Sequence, residues 1–191
     1  MRRPRRKPEP RIYAFIDSQN LNVSVQKFGW KMNWKKFRQF LTDKYGVTIA
    51  YMFIGYVPEH EDIYEKMHEA GYAVVLKPTF DMSRPRPEEN GGKSDKPVKG
   101  NVDADLVLWA MKEMENYDKA VIVSGDGDFF ALIEYLVQQE RLLKILTPTG
   151  QYSSLYRQFE NYLERLDSYK RELAYHDRPK NRPRPPKTTQ S

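Results

Sequence analysis

Short apolar runs alternate with amphipathic stretches from residue 12 onward, and this alternation constrains the fold more than any other feature. IYAFID (12–17), VTIAYMFIGY (47–56), YAVVLKP (72–78), KAVIVSG (119–125) and LLKILTP (142–148) read as strands. NWKKFRQFLTDKY (33–45), EHEDIYEKMHEAG (59–71), NVDADLVLWAMKEMENY (101–117), DFFALIEYLVQQE (128–140) and SSLYRQFENYLERLDSYKREL (153–173) read as helices. Phe37, Phe40 and Leu41 share a face of the first helix, and Gly71 stops the second. Strands alternating with helices imply right-handed βαβ crossovers. The expected fold is therefore α/β, a three-layer α/β/α domain around a doubly wound, mostly parallel sheet. Strands apolar along their whole length are what a sheet covered on both faces requires. In such sheets, ligands bind beyond the carboxyl ends of the strands.

Charge divides the chain. It carries +6 overall, but residues 1–11 hold +5 and residues 177–191 hold +4, which leaves −3 on residues 12–176. The expected organisation is a basic arm over 1–11, a domain over 12–173 and a basic, proline-rich tail over 174–191, both ends being disordered. The arms are either solvated tails or a sequence-independent grip on a polyanion such as RNA. Residues 78–100, with four prolines and three glycines, break the rhythm and read as a flexible insertion. The absence of cysteine excludes a disulfide framework and a Cys-based zinc site. The basic start is not followed by an apolar stretch, and no run of about 18 apolar residues occurs. The sequence therefore reads as having no signal peptide and no membrane span, with the cytoplasm as the expected location.

Acids collect where ligands are expected. The first strand ends at Asp17, with Asn20 three residues later, and the fourth ends in SGDGD, with Asp126 and Asp128. Asp103 and Asp105 open the helix before the fourth strand. Helical spacing puts Asp103 on the side of Leu106 and Val107, and Asp105 in line with Trp109 and Lys112. Any one acid is explained as a helix cap. Capping does not explain several acids at one sheet edge. Two carboxylates 4–5 Å apart repel by about 3–4 kcal/mol at an effective dielectric near 20. That is a large fraction of a domain's stability of ~5–15 kcal/mol. A cluster of oxygen ligands suits Mg2+ or Mn2+ better than Zn2+. Such an ion supports phosphodiester hydrolysis.

YAFIDSQNL (13–21), KGNVDADLVL (99–108) and VIVSGDGDFFALIEYL (121–136) resemble, in order, the three motifs of NYN domains of the LabA-like type, within the PIN-like nuclease superfamily. SSLYRQFENYLERL (153–166) is similar to the last helix of that group, so the resemblance spans about residues 12–166. It implies a Mg2+- or Mn2+-dependent ribonuclease. Asp17, Asp103, Asp126 and Asp128 match the acidic positions, expected to be catalytic and to hold the metal. Asn20 matches the polar residue that orients the metal or a water, and Ser124 the small hydroxyl residue ending the fourth strand. In one place the chain departs from the pattern. Many LabA-like sequences carry a further acid in the middle helix, where this chain has Leu108, Trp109 and Ala110. Asp105 is the available substitute.

Lys99, in the loop before Asp103, is expected to hold a substrate phosphate or to be a solvated charge. Tyr56 and Phe80 either stack bases or pack internally. The three histidines lie away from the motifs, so no imidazole base is expected. Leu155, Phe159, Tyr162, Leu166, Tyr169 and Leu173 form a 4-3-4-3-4 seam on the last predicted helix. It packs on the parent domain or joins two copies of the chain as a homodimer. Three functions fit: a ribonuclease, an RNA-binding or regulatory module on the same fold, and a haloacid-dehalogenase-like phosphatase. The last needs an acid two residues after Asp17, where Gln19 stands.

Overall fold

A computed structural model describes residues 9–56, 61–77 and 102–176. The elements in chain order are β1 (Ile12–Asp17), α1 (Ser18–Lys27), α2 (Trp34–Tyr45), β2 (Val47–Gly55), α3 (Glu61–Glu69), β3 (Ala73–Lys77), α4 (Asp103–Lys112), β4 (Lys119–Val123), α5 (Phe130–Gln138), β5 (Leu142–Thr147), β6 (Leu163–Arg165) and α6 (Lys170–Leu173). Short 3-10 segments cover Gly127–Phe129, Ser154–Tyr162 and Leu166–Tyr169. Six strands form one sheet in the order β3-β2-β1-β4-β5-β6. Each neighbouring pair is parallel.

Period-two alternation along β1 sets the layers. Ala14 and Ile16 face a core built with Leu21 and Val25 of α1, Phe37 and Leu41 of α2, and Leu173 of α6. Tyr13 and Phe15 face the opposite core, with Leu106 and Ala110 of α4 and Ile133 and Leu136 of α5. The sheet is thus sandwiched between two helical layers, as the uniformly apolar strands require. The chain winds outward from β1 through β2 to β3. It then returns to β4 on the other side of β1 and continues to β6. The order therefore reverses between β1 and β4, whose carboxyl ends flank the switch point. Ile16 pairs with Val123 across that line, so Asp17 and Ser124 follow side by side.

Helix α1 was not anticipated from the sequence. Its apolar content is low, and it is defined by Asp17, whose side chain caps it by accepting from the Asn20 backbone N–H. The single helix expected over 153–173 is not formed, and the homodimer seam read from it has no helical face to lie on. Phe159 breaks the helical backbone at φ −108°, ψ 24°. Leu163–Arg165 is extended and pairs with Ile145–Thr147 of β5. The open edge of β5 offers a row of backbone hydrogen bonds, and tertiary pairing overrides the local pattern. The seam residues divide accordingly. Phe159 packs in one core, while Leu166 and Leu173 pack in the other, because the chain crosses the sheet edge between them.

Both domain ends extend beyond the expected limits. Arg11, assigned to the basic arm, donates its backbone N–H to Asp118 Oδ2 at 2.8 Å and ion-pairs with that residue. Ala174 bridges to Met32, and the Tyr175 N–H donates to the Lys31 carbonyl at 2.8 Å. Lys99, Phe80 and the whole of the 78–100 insertion lie outside the described residues, as do residues 1–8 and 177–191. Among the described residues, no helix is long and apolar enough to cross a membrane.

Candidate active site

Asp17 is the last residue of β1 and is only 3% exposed. It is held on both oxygens. Oδ1 accepts the Asn20 N–H at 3.0 Å, and Oδ2 accepts the Ser124 hydroxyl at 3.2 Å. Ser124, fully buried at the end of β4, also accepts the Asp126 N–H at 3.1 Å. Asn20 turns its side chain across the switch point, where Oδ1 accepts the Gly125 N–H at 3.0 Å. A continuous set of hydrogen bonds thus ties β1, α1 and the SGDGD turn into one unit. None of them gives Asp17 a positive partner.

The electrostatics follow from that geometry. Burial pushes the Asp17 carboxyl above its ordinary value, against the opposing hydrogen bond from Asn20. Asp103 and Asp126 add to the rise, so both lie close enough for their charges to be felt. Asp103 is half-buried in the first turn of α4. Asp126 Oδ1 accepts the Asp128 N–H at 3.1 Å and caps the short 3-10 turn. Asp105 faces a different neighbour. Its carboxylate ion-pairs with Lys77 Nζ at 3.2 Å, at the end of β3. That pairing fits the sequence alignment of Asp105 away from Asp103. Tyr56 packs beside Tyr64, with ring centroids 5.9 Å apart, and donates its hydroxyl to Glu61 at 3.1 Å, which is the internal-packing alternative.

Several residues of the site carried no sequence signal of their own. The loop after β5 and the 3-10 segment that follows cover the SGDGD turn from above. The Ser153 N–H donates to the Gly125 carbonyl at 3.0 Å. The buried Tyr156 donates its hydroxyl to the Asp126 carbonyl. Its phenol is pushed well above the ordinary value, mainly by burial and further by Asp126, Asp17 and Asp128. Between turn and loop lies an open cleft of about 830 Å³, lined by Asn20, Asp126, Asp128, Gln151, Tyr152 and Leu155, among others. The position of this loop at a strand's carboxyl end was the available clue.

The donor set is oxygen only, as Mg2+ or Mn2+ prefers. Among the described residues no three acids or imidazoles gather tightly enough to make a ready coordination sphere. The arrangement suits an ion held directly by one or two carboxylates that keeps several waters, which is the habit of Mg2+. Buried Asp17, with no cationic partner among the described residues and two acidic neighbours, is the feature that a cation would relieve.

The NYN domain family model matches residues 11–171. The chain is similar to the low amplitude and bright protein LabA of Synechococcus elongatus, with 25% identity over 144 residues, covering 73% of this chain and 75% of that protein. In structure it is similar to a Vibrio parahaemolyticus protein of unknown function, with a TM-score of 0.66 and 18% identity, covering 90% of this chain and 99% of the other. At that identity the likeness speaks to the fold.

Proposed function

The chain belongs to the NYN domain family, and from that premise we propose that it is a ribonuclease that hydrolyses RNA phosphodiester bonds with Mg2+ or Mn2+. One observation carries the reading: a buried carboxylate, Asp17, has no cationic partner among the described residues at the sheet's switch point, and lies under the added charge of Asp103 and Asp126. A structural acid in that position would be expected to have a lysine or arginine beside it.

Asp17, Asp103, Asp126 and Asp128 would hold the ion. When bound, it would supply Lewis-acid polarisation of the phosphoryl oxygen and an acidified water. The chain's own groups do the positioning. Asn20 and Ser124 fix both oxygens of Asp17. Tyr156 and Ser153 hold the backbone of the turn that carries Asp126. Such preorganisation lets charged groups act without reorganising during the reaction. Lys99 is retained as the proposed phosphate contact and awaits its own test.

A second reading, an RNA-binding or regulatory module without cleavage, is favoured by the lack of a ready three-ligand sphere among the described residues. Cleavage assays separate the two. Wild-type protein with Mn2+ is expected to cut a mixed-sequence RNA pool, and Asp126→Asn is expected to lower the rate by at least about a hundredfold while keeping the thermal midpoint. RNA that stays intact with wild-type protein, yet is bound by it, establishes the second reading.

A further inference from the structure

The cleft beside the acids has two chemically distinct halves. One half is anionic, with Asp126 and Asp128. The other is uncharged, formed by Gln151, Tyr152, Ser153 and Leu155. Leu155 is half exposed there and gives the cleft an aliphatic surface. Tyr152 is half-buried, and its ring is stacked with Tyr156 at 6.5 Å and 21°. That contact is made by the same Tyr156 whose hydroxyl holds the Asp126 carbonyl, so the aromatic wall and the acidic turn are built as one piece. A cation paired with Asp167 supports the same loop from outside the cleft lining. The Arg165 guanidinium lies against Gly150, where an added Cβ would come within 3.2 Å of Cζ, and the side chain is exposed, with Asp167 at 2.6 Å. Gly150 therefore leaves room for Arg165 to rest on the loop that presents Tyr152.

We propose that Gln151, Tyr152 and Leu155 form a nucleotide subsite that takes one unpaired base of the RNA next to the phosphate held at the acids. This rests on the ribonuclease reading of the site. A phosphate alone gains nothing from the uncharged half. A planar, uncharged group with hydrogen-bonding edges gains a stacking face from Tyr152, an aliphatic contact from Leu155 and an amide partner from Gln151. A duplexed base keeps its faces stacked in the helix and cannot use the wall, so the subsite selects single strands.

The test measures binding by fluorescence anisotropy, with Ca2+ in place of Mn2+, together with cleavage in Mn2+. The substrates are a short single-stranded RNA, the same RNA with an abasic ribose scanned through successive positions, and its duplex. Tyr152→Ala is expected to weaken binding of the intact single strand by about five- to a hundredfold, the range expected for one stacked base, and Tyr152→Phe to leave it unchanged. One abasic position is expected to weaken wild-type binding by a similar factor and to add nothing to Tyr152→Ala, since each removes one partner of the same contact. The abasic series uses wild-type protein, so it stands even where Tyr152→Ala impairs folding. If wild type binds and cuts the single strand, but no abasic position and not Tyr152→Ala weakens binding relative to wild type with the intact strand, the subsite is overturned while the nuclease stands. If wild type neither binds nor cuts any of these RNAs, the ribonuclease reading falls, and the subsite with it.

Discussion

At the scale of single residues, Asp17 is the position where stability and function pull apart. Burial and two acidic neighbours hold its carboxyl above the ordinary value in the folded protein. The folded state therefore binds the proton more tightly than the unfolded chain does. By linkage, stability falls as pH rises from the unfolded value near 3.8 through the folded value, and stays reduced above it. Asp17→Asn keeps the cap acceptor for the Asn20 N–H and removes the charge. In metal-free buffer at pH 7 it is expected to raise the thermal midpoint, and in Mn2+ to abolish cleavage. The gap from wild type should shrink as pH falls, since the folded wild-type carboxyl takes up its proton before the unfolded one does. Melting curves of both proteins from pH 4 to 8 in EDTA check this, and a lower midpoint for the variant at pH 7 would contradict it. Asp17, Asn20, Ser124 and Asp126 were legible in the sequence because strand ends are marked locally, by an apolar run stopping at an acid. Tyr152 and Tyr156 were not legible. Their roles depend on a fold-back of the chain from more than 25 positions away, and tyrosine in a loop has no local signature.

At the scale of elements, the SGDGD turn depends on close approach to the loop above it. A Cβ on Gly127 would lie 2.5 Å from Ser153 Oγ and 3.1 Å from Ser153 Cβ. The first contact is relieved by rotating a hydroxyl, while the second requires the loop to shift. Gly127→Ala is expected to cost about 1–3 kcal/mol, as overpacking does. Combining it with Ser153→Gly should recover part of the loss, measurable by urea unfolding. Additive losses in the double variant would contradict the proposed contact. The same region shows what pattern reading missed. Strands β1 to β5 were placed within a residue or two, because parallel strands buried on both faces are apolar throughout. Segment 153–173 carried helix-compatible spacing, but its apolar residues serve two cores on opposite faces of the sheet. A one-dimensional period cannot tell one face of a helix from two sides of a sheet edge.

At the scale of the whole molecule, a mildly acidic body is set between two strongly basic ends. Residues 1–8 and 177–191 carry +5 and +4, with Arg11 bound into the domain by Asp118. Removing both segments is expected to lower RNA affinity and flatten its dependence on salt, since each neutralised phosphate of a single strand contributes about 0.7 to the slope. An unchanged slope would remove the arms from recognition. The α/β/α architecture was legible because strand–helix alternation fixes the layers. The distances between the carboxylates were not, since spacing in the chain does not set them. The most direct test is therefore a crystal soaked in Mn2+ and read by anomalous diffraction. The account predicts a peak within about 2.5 Å of a carboxylate oxygen of Asp17 or Asp126, with waters completing its sphere. A saturating soak with no peak among Asp17, Asp103, Asp126 and Asp128 would contradict it.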